Sequence, residues 1–201
     1  MEKVVATPFF RVSAFASSGE VSNPLDTIQG PVAQILNILK DPRYRNDGQK
    51  NEQLDKIWET VRTIFDFNEM AKRSVGKDWK RFSAQEQSEF TEAFTQLLGN
   101  VYLSKIQSEY KDERVVFLGQ EMVSESKALV KTNIVRDALE IPVHYSLYQS
   151  DAGWRVYDVN IEGVSLVANY RNQFKDILLK NTPAQLIEQV KKKVAQQKSA
   201  L

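Results

Sequence analysis

The sequence has no cysteine, a single histidine and no long apolar run. Without a thiol, the chain can form no disulfide, thiolate metal site or cysteine nucleophile. One histidine, His144, excludes two-histidine zinc centres and leaves Ser-His-Asp chemistry to that residue alone. No run of about 18 apolar residues occurs, so no segment predicts a membrane span. Together these absences favour a binding protein over an enzyme.

The charge is balanced, and the composition is that of a folded domain. Lys and Arg number 27 against 26 Asp and Glu among 201 residues, which argues against a dedicated nucleic-acid binder. We interpret residues 1–22 as a flexible arm or a signal-peptide remnant. Ala14-Phe15-Ala16 resembles a cleavage site, but Pro8 and Arg11 interrupt the preceding apolar stretch. The sequence therefore predicts one folded domain over 23–201.

Helical periodicity dominates both ends of this domain. Apolar residues at helical spacing predict helices over 23–110, and again over 164–197. Gly30-Pro31 predicts a kink or a break in the first helix, because proline lacks the N–H that the helix needs. Ser83 begins a capping box that predicts the start of the longest helix.

The segment 113–162 has a different character, rich in β-branched and aromatic residues. Short polar separators divide it into four stretches, which predicts hairpins and therefore an antiparallel meander. The predicted strands are 114–123, 127–137, 140–149 and 153–162. The predicted fold class is α+β: a twisted four-stranded antiparallel meander wrapped by about six helices.

Alternation along the last two strands predicts their faces. On the third strand, one face carries Ile141, Val143, Tyr145 and Leu147. On the fourth, we expect one face to carry Tyr157, Val159 and Ile161, and the other to carry Trp154 and Val156. Apolar residues on both faces predict that the sheet is covered on each side.

Two residues are candidates for catalysis. Asp158 lies in an otherwise apolar strand. It is either a buried catalytic carboxylate or a structural group that is hydrogen-bonded to backbone N–H groups or to an arginine. Its candidate partners are Arg136, Arg155 and Arg171. His144 is a general base or an ordinary strand residue. We favour the structural interpretation of both. No nucleotide, zinc-protease or calcium-loop motif occurs, so we predict no cofactor and no metal.

The last predicted helix ends in a small basic cluster, Lys191-Lys192-Lys193 with Lys198. This cluster is either a solvated helix face or a contact for an acidic partner or membrane. The other conspicuous group is the large aromatic side chains, with Phe 10, Tyr 7 and Trp 3. They fill one core, or they line a cavity between sheet and helices that suits an acyl chain. The pattern alone leaves both choices open.

Several motifs, in order from Pro24 to Val190, resemble the MlaC family, also called toluene-tolerance auxiliary proteins. In the first half they are Ile64-Phe65-Asp66-Phe67, Met70-Ala71 and Gly76-Lys77-Asp78-Trp79. In the second half they are Trp154-Arg155-Val156-Tyr157-Asp158-Val159, Gly163-Val164-Ser165-Leu166-Val167, Asn169-Tyr170-Arg171 and Gln173-Phe174. The resemblance covers most of the chain, and its ordered combination is more specific than any single motif.

The resemblance implies a periplasmic phospholipid carrier. Members of the family shuttle lipid between an outer-membrane lipoprotein complex and an inner-membrane ABC-transporter complex, which maintains outer-membrane lipid asymmetry. It implies acyl chains in a hollow between sheet and helices, with phospholipid as cargo rather than cofactor. We expect a monomer that binds no nucleic acid. The alternative is a small cone-shaped α+β enzyme that uses Asp158 and His144 in a pocket.

The resemblance and the apolar stripes together predict which residues bind lipid. From the sheet they are Val143, Tyr145, Leu147, Tyr157, Val159 and Ile161. From the helices they are Phe94, Leu98, Val101, Tyr102, Val164, Leu166, Val167, Tyr170 and Phe174. We expect the head group to stay in water and the pocket to open by movement of the helices.

Overall fold

Residues 23–198 are described by the computed structural model, and their elements follow the predicted order. The helices are α1 Pro24–Lys40, α2 Lys50–Ile64, α3 Phe67–Val75, α4 Ala84–Glu109, α5 Leu166–Leu178 and α6 Pro183–Lys198. The strands are β1 Arg114–Ser124, β2 Lys127–Arg136, β3 Leu139–Ser150, β4 Gly153–Ile161 and β5 Val164–Ser165. Short 3₁₀ helices lie at Pro42–Arg45, Asp47–Gln49 and Gly76–Arg81. The predicted arm 1–22 lies outside the described residues.

The predicted α+β class and the antiparallel meander are confirmed, with one strand more than expected. The sheet order is β1-β2-β3-β4-β5, and every neighbouring pair is antiparallel. The extra strand, β5, pairs Val164 and Ser165 with the end of β4, so the C-terminal helices begin at Leu166 rather than at 164. The Ser165 hydroxyl accepts the N–H of Ala168 at 3.0 Å, which caps α5 and ends the strand.

A β-bulge in β4 overturns the predicted division of that strand. Ser146 pairs with Asp158 and Leu147 with Val156, so Tyr157 is an extra residue without a partner on β3. One extra residue shifts the alternation by one position. Both halves of the strand therefore present their apolar residues to the same core, against the expectation of two faces. The residues that do so are Trp154, Val156, Val159 and Ile161.

Most of the buried apolar side chains form two clusters. The helical core joins α3, α4, α5 and α6, around the fully buried Phe90, Phe94 and Leu186. The sheet core lies against one face of β2, β3 and β4 and includes Ile28 of α1. Phe65, between α2 and α3, packs against both cores. The helices and the sheet are thus joined along a boundary rather than by one continuous core.

The predicted interruption at Gly30-Pro31 does not divide α1, which continues to Lys40. Pro31 lies inside the helix, one turn after Ile28, whose side chain is fully buried in the sheet core. Tertiary packing of one helix face can outweigh the loss of a single backbone hydrogen bond. The predicted capping box at Ser83 is confirmed, with Glu86 as the second member. None of the described helices is long and apolar enough to cross a membrane.

Replacement of two glycines by alanine should change stability in opposite directions. Gly76 ends α3 at φ 59°, which an L side chain adopts only under strain, so Gly76→Ala should lower the free energy of unfolding by about 1–2 kcal/mol. Gly99 lies inside α4, where an added Cβ would meet the Trp58 ring at 3.5 Å, an ordinary contact. Gly99→Ala should therefore raise that free energy by about 0.5–1 kcal/mol. Urea unfolding of both variants tests these two predictions, and equal changes in the free energy of unfolding would contradict them.

Candidate functional site

Around the two cores lie apolar side chains that are only partly buried, and we call this set of side chains the boundary. On the helical side, Val101 and Tyr102 of α4 pack against the helical core. On the sheet side, Tyr145, Ile161 and Leu166 pack against the sheet core. A partly buried apolar side chain keeps surface that the protein itself does not cover. These five predicted residues are therefore the ones best suited to line an apolar binding site.

Most of the other predicted residues lie inside one of the two cores. In the helical core the buried members are Phe94, Leu98, Val167, Tyr170 and Phe174, and in the sheet core they are Val143, Leu147 and Val159. Phe94 contacts the Tyr170 ring edge-on, with centroids 5.1 Å apart. Its contact with Phe174 is similar, at 5.7 Å. Side chains packed in this way stabilise the fold and leave little surface for a ligand.

Two predicted residues lie apart from both groups. Val164 is 55% exposed on β5, so it lies at the surface of the end of the sheet. Tyr157, the bulge residue, lies beneath the Arg73 guanidinium, which is 4.1 Å from its ring centroid. Its ring also neighbours that of Tyr148, whose hydroxyl donates to Asp66. Tyr157 thus helps to attach α3 to the sheet through polar contacts.

The sequence analysis missed partly buried apolar residues that share this boundary. They are Leu25 and Val32 of α1 and Phe117, Ile134 and Ile141 of the sheet, and all pack against the sheet core. The helical spacing of α1 had marked its apolar stripe, but periodicity does not say which element that stripe meets. The tertiary structure places α1 across the sheet, which makes its stripe part of the candidate site.

Burial raises the pKa of three of the predicted lining tyrosines, Tyr102, Tyr145 and Tyr170. Burial raises the pKa of Tyr145 to about 12. Burial, with a smaller contribution from Tyr102, raises the pKa of Tyr170 to about 12 as well. The neighbouring Thr132 hydroxyl donates a hydrogen bond to the Val143 carbonyl at 2.7 Å, so this buried hydroxyl has its hydrogen-bond partner within the sheet. The boundary is therefore uncharged at neutral pH, as an apolar ligand requires.

Asp158 forms hydrogen bonds at the start of α5. Its carboxylate accepts the Ser165 hydroxyl at 2.5 Å and the Val167 N–H at 3.0 Å, which confirms the predicted bonding to backbone N–H groups. The arginine alternative is wrong, because each candidate guanidinium binds elsewhere. Arg155 donates to the carbonyls of Thr63 and Phe65, Arg171 to that of Arg73, and Arg136 to Glu113 and Glu109.

His144 lies on β3 opposite Asn160, whereas Asp158 lies opposite Ser146. The hydrogen bonds of Asp158 lead to α5 and Ser165 rather than to the imidazole. Within residues 23–198, no group of three or more His, Asp or Glu side chains is placed to hold a metal ion. The arrangement at Asp158 is that of a helix-capping carboxylate.

A separate groove of about 990 Å³ runs between α4 and the segment from α2 to Trp79. Its floor includes Trp58, Phe67 and Trp79, and none of the predicted lipid-binding residues borders it. The remaining lining residues are polar or small: Arg62, Asp66, Asn68, Glu69, Lys72, Ala84, Gln87, Ser88, Thr91, Glu92, Thr95 and Gln96. Charged and amide walls of this kind suit an acyl chain poorly.

Comparison with known proteins supports the resemblance read from the motifs. Residues 29–192 match the family model described as MlaC protein. The chain belongs to the MlaC family. A curated relative, the toluene tolerance protein Ttg2D of Pseudomonas putida, is 22% identical over 164 residues, which cover 79% of this chain and 74% of that protein.

Among solved structures, the fold is similar to that of a phospholipid-binding protein from Ralstonia solanacearum, determined in complex with a phospholipid. The TM-score is 0.78 at 22% sequence identity. The alignment covers 88% of this chain and 99% of the Ralstonia protein. The MlaC family match itself runs from α1 to α6, so it includes most residues of both cores.

A substitution at Asp158 should test the capping role. Asp158→Ala removes two hydrogen bonds at the start of α5, so the free energy of unfolding should fall by about 1–2 kcal/mol. Asp176→Ala, at an exposed position of the same helix, is the matched control and should change it by less than about 0.5 kcal/mol. Chemical denaturation measures both. Equal free energies of unfolding for the two variants would contradict the capping role of Asp158.

Proposed function

We propose that this member of the MlaC family is a non-enzymatic phospholipid carrier of the periplasm. It would pass lipid between an outer-membrane lipoprotein complex and an inner-membrane ABC-transporter complex, and so maintain outer-membrane lipid asymmetry. The observation that carries the proposal is the set of partly buried, uncharged apolar side chains that pack against the two cores. The family match and the fold of the phospholipid-bound Ralstonia protein support it.

The expected orientation of the lipid follows from transfer energies. Each methylene group moved from water into an apolar site contributes about 0.8 kcal/mol, so two acyl chains gain most by lying along the boundary. A phosphate in the same place would need cations, and Val101, Tyr102, Tyr145, Ile161 and Leu166 supply none. The acyl chains therefore lie between the cores, and the head group remains in water.

The basic end of α6 is a weaker docking element than its sequence indicates. Lys191 forms ion pairs with Glu89 at 2.9 Å and with Glu188 at 3.9 Å, which neutralise part of its charge. Lys192 and Lys193 are exposed and are the members best placed to contact an acidic partner. Any such contact should act mainly on the association rate and weaken with salt.

Native mass spectrometry of the purified protein tests the carrier function directly. We expect the folded chain to carry a two-chain phospholipid, released as a lipid ion on collisional activation. After delipidation, the protein should take up phospholipid from vesicles and return it. A folded chain that neither retains nor takes up phospholipid would reject the proposal.

Tryptophan substitutions at the boundary should displace lipid without unfolding the protein. Val101→Trp and Ile161→Trp add bulk at partly buried positions. Loss of room for about two methylene groups costs ~1.6 kcal/mol, or roughly tenfold in affinity. Leu179→Trp, at a position 72% exposed after α5, is the control and should bind lipid normally. Circular dichroism verifies folding, and unchanged binding in both folded boundary variants would argue against this lining.

A further inference from the structure

A buried carboxylate, Glu113, lies between the end of α4 and the start of β1. Glu113 is only 6% exposed to solvent. One of its oxygens accepts the N–H of Lys111 at 2.7 Å, and the other forms an ion pair with the Arg136 guanidinium at the end of β2. The intervening Asp112 has φ 59°, in the left-handed region that a non-glycine residue seldom adopts. The junction is therefore held in one conformation by contacts from both sides.

Arg136 also binds the helix itself. Its guanidinium donates to the carbonyl of Glu109, the last residue of α4, while it pairs with Glu113. The last turn of α4 contains no basic residue of its own, so Arg136 supplies from β2 the cation that a helix C-terminus favours. A single side chain thus ties together the end of α4, the start of β1 and the end of β2.

The carboxylate remains ionised at this junction despite its burial. Burial by itself would raise the pKa of Glu113, but the N–H groups of Lys111 and Glu113 and the Arg136 guanidinium outweigh it and lower the pKa below its usual range. A buried pair of this kind fixes geometry more than it adds stability, because desolvation cancels much of its attraction. Loss of Arg136, however, leaves the buried Glu113 carboxylate without its cation, and loss of Glu113 frees the partly exposed guanidinium of Arg136.

The same stretch of α4 carries the helical side of the boundary. Val101 and Tyr102 lie about two turns before Glu109, so release of the helix end from the sheet would loosen the packing of these two side chains against the helical core. We infer that the Arg136–Glu113 pair is a latch that holds the end of α4 on the sheet and limits how fast the site exchanges its ligand. The inference rests on the proposed carrier function and concerns the regulation of its site.

Removal of either partner should open the latch. We expect Glu113→Gln and Arg136→Gln each to raise the rate of phospholipid exchange with phosphatidylethanolamine–phosphatidylglycerol vesicles by roughly tenfold or more, since each leaves its partner unpaired. Arg136→Lys keeps the charge but not the planar fork that reaches both Glu113 and Glu109, so its rate should be intermediate. The double glutamine variant should be no faster than the faster single variant.

The same two strands offer a matched control. Lys131 of β2 pairs with Glu121 of β1 at 2.8 Å, but both side chains are 40% or more exposed. Lys131→Gln and Glu121→Gln remove a salt bridge of the exposed kind, which contributes little, and exchange should stay at the wild-type rate. Equal acceleration in these controls and in the latch variants would overturn the inference.

Hydrogen–deuterium exchange of the backbone amides of 101–109 tests the latch without any lipid. In Glu113→Gln and Arg136→Gln these amides should exchange faster than in wild type, while the amides of 88–98 in the helical core stay protected. Unchanged protection in both variants would reject the latch. A wild-type chain without phospholipid would reject the carrier function instead, and amide exchange would still decide whether the latch exists.

Discussion

The attachment of the Phe65-Asp66 segment to the edge of β4 sets how the helices sit against the sheet. Phe65 bridges to Val156 in a parallel sense, and the Asp66 N–H donates to the Val156 carbonyl at 2.8 Å. The Asp66 carboxylate accepts the N–H of Glu69, which caps α3, and also the Tyr148 hydroxyl of β3. Burial and this hydrogen bond raise the pKa of Tyr148 to about 12, so the contact persists at neutral pH. One short segment therefore begins a helix and extends the sheet at once.

Two cores joined along a boundary explain how a stable protein can retain apolar surface for a ligand. Each core is closed by its own fully buried residues, such as Phe94 on the helical side and Leu147 on the sheet side. Under the proposed carrier function, a ligand would replace water at the partly buried side chains beside these cores without disturbing either packed interior.

Much of the architecture was predictable because its signals are local. The helical stripes, the capping box at Ser83 and the hairpin separators depend on residues a few positions apart, and the structure confirms them. Of the kink or break expected at Gly30-Pro31, the break does not occur: α1 continues past Pro31, and Ile28 holds it in the sheet core, a contact that no local pattern contains. For the same reason, some of the predicted lining residues are core residues and others are only partly buried. An apolar stripe marks a buried face without showing how completely that face is covered.

The sequence by itself determined the element order, the α+β class and the motifs that assign the chain to its family. Tertiary structure alone decided which face of β4 meets the core, because the bulge at Tyr157 exists only in the pairing with β3. The tertiary structure also decided the hydrogen-bond partners of Asp158 and Arg136. Asp158 of β4 binds the start of α5, and Arg136 of β2 binds the end of α4. Periodicity and capping are properties of neighbouring residues, whereas register, depth of burial and ion pairing depend on how separate elements are brought together.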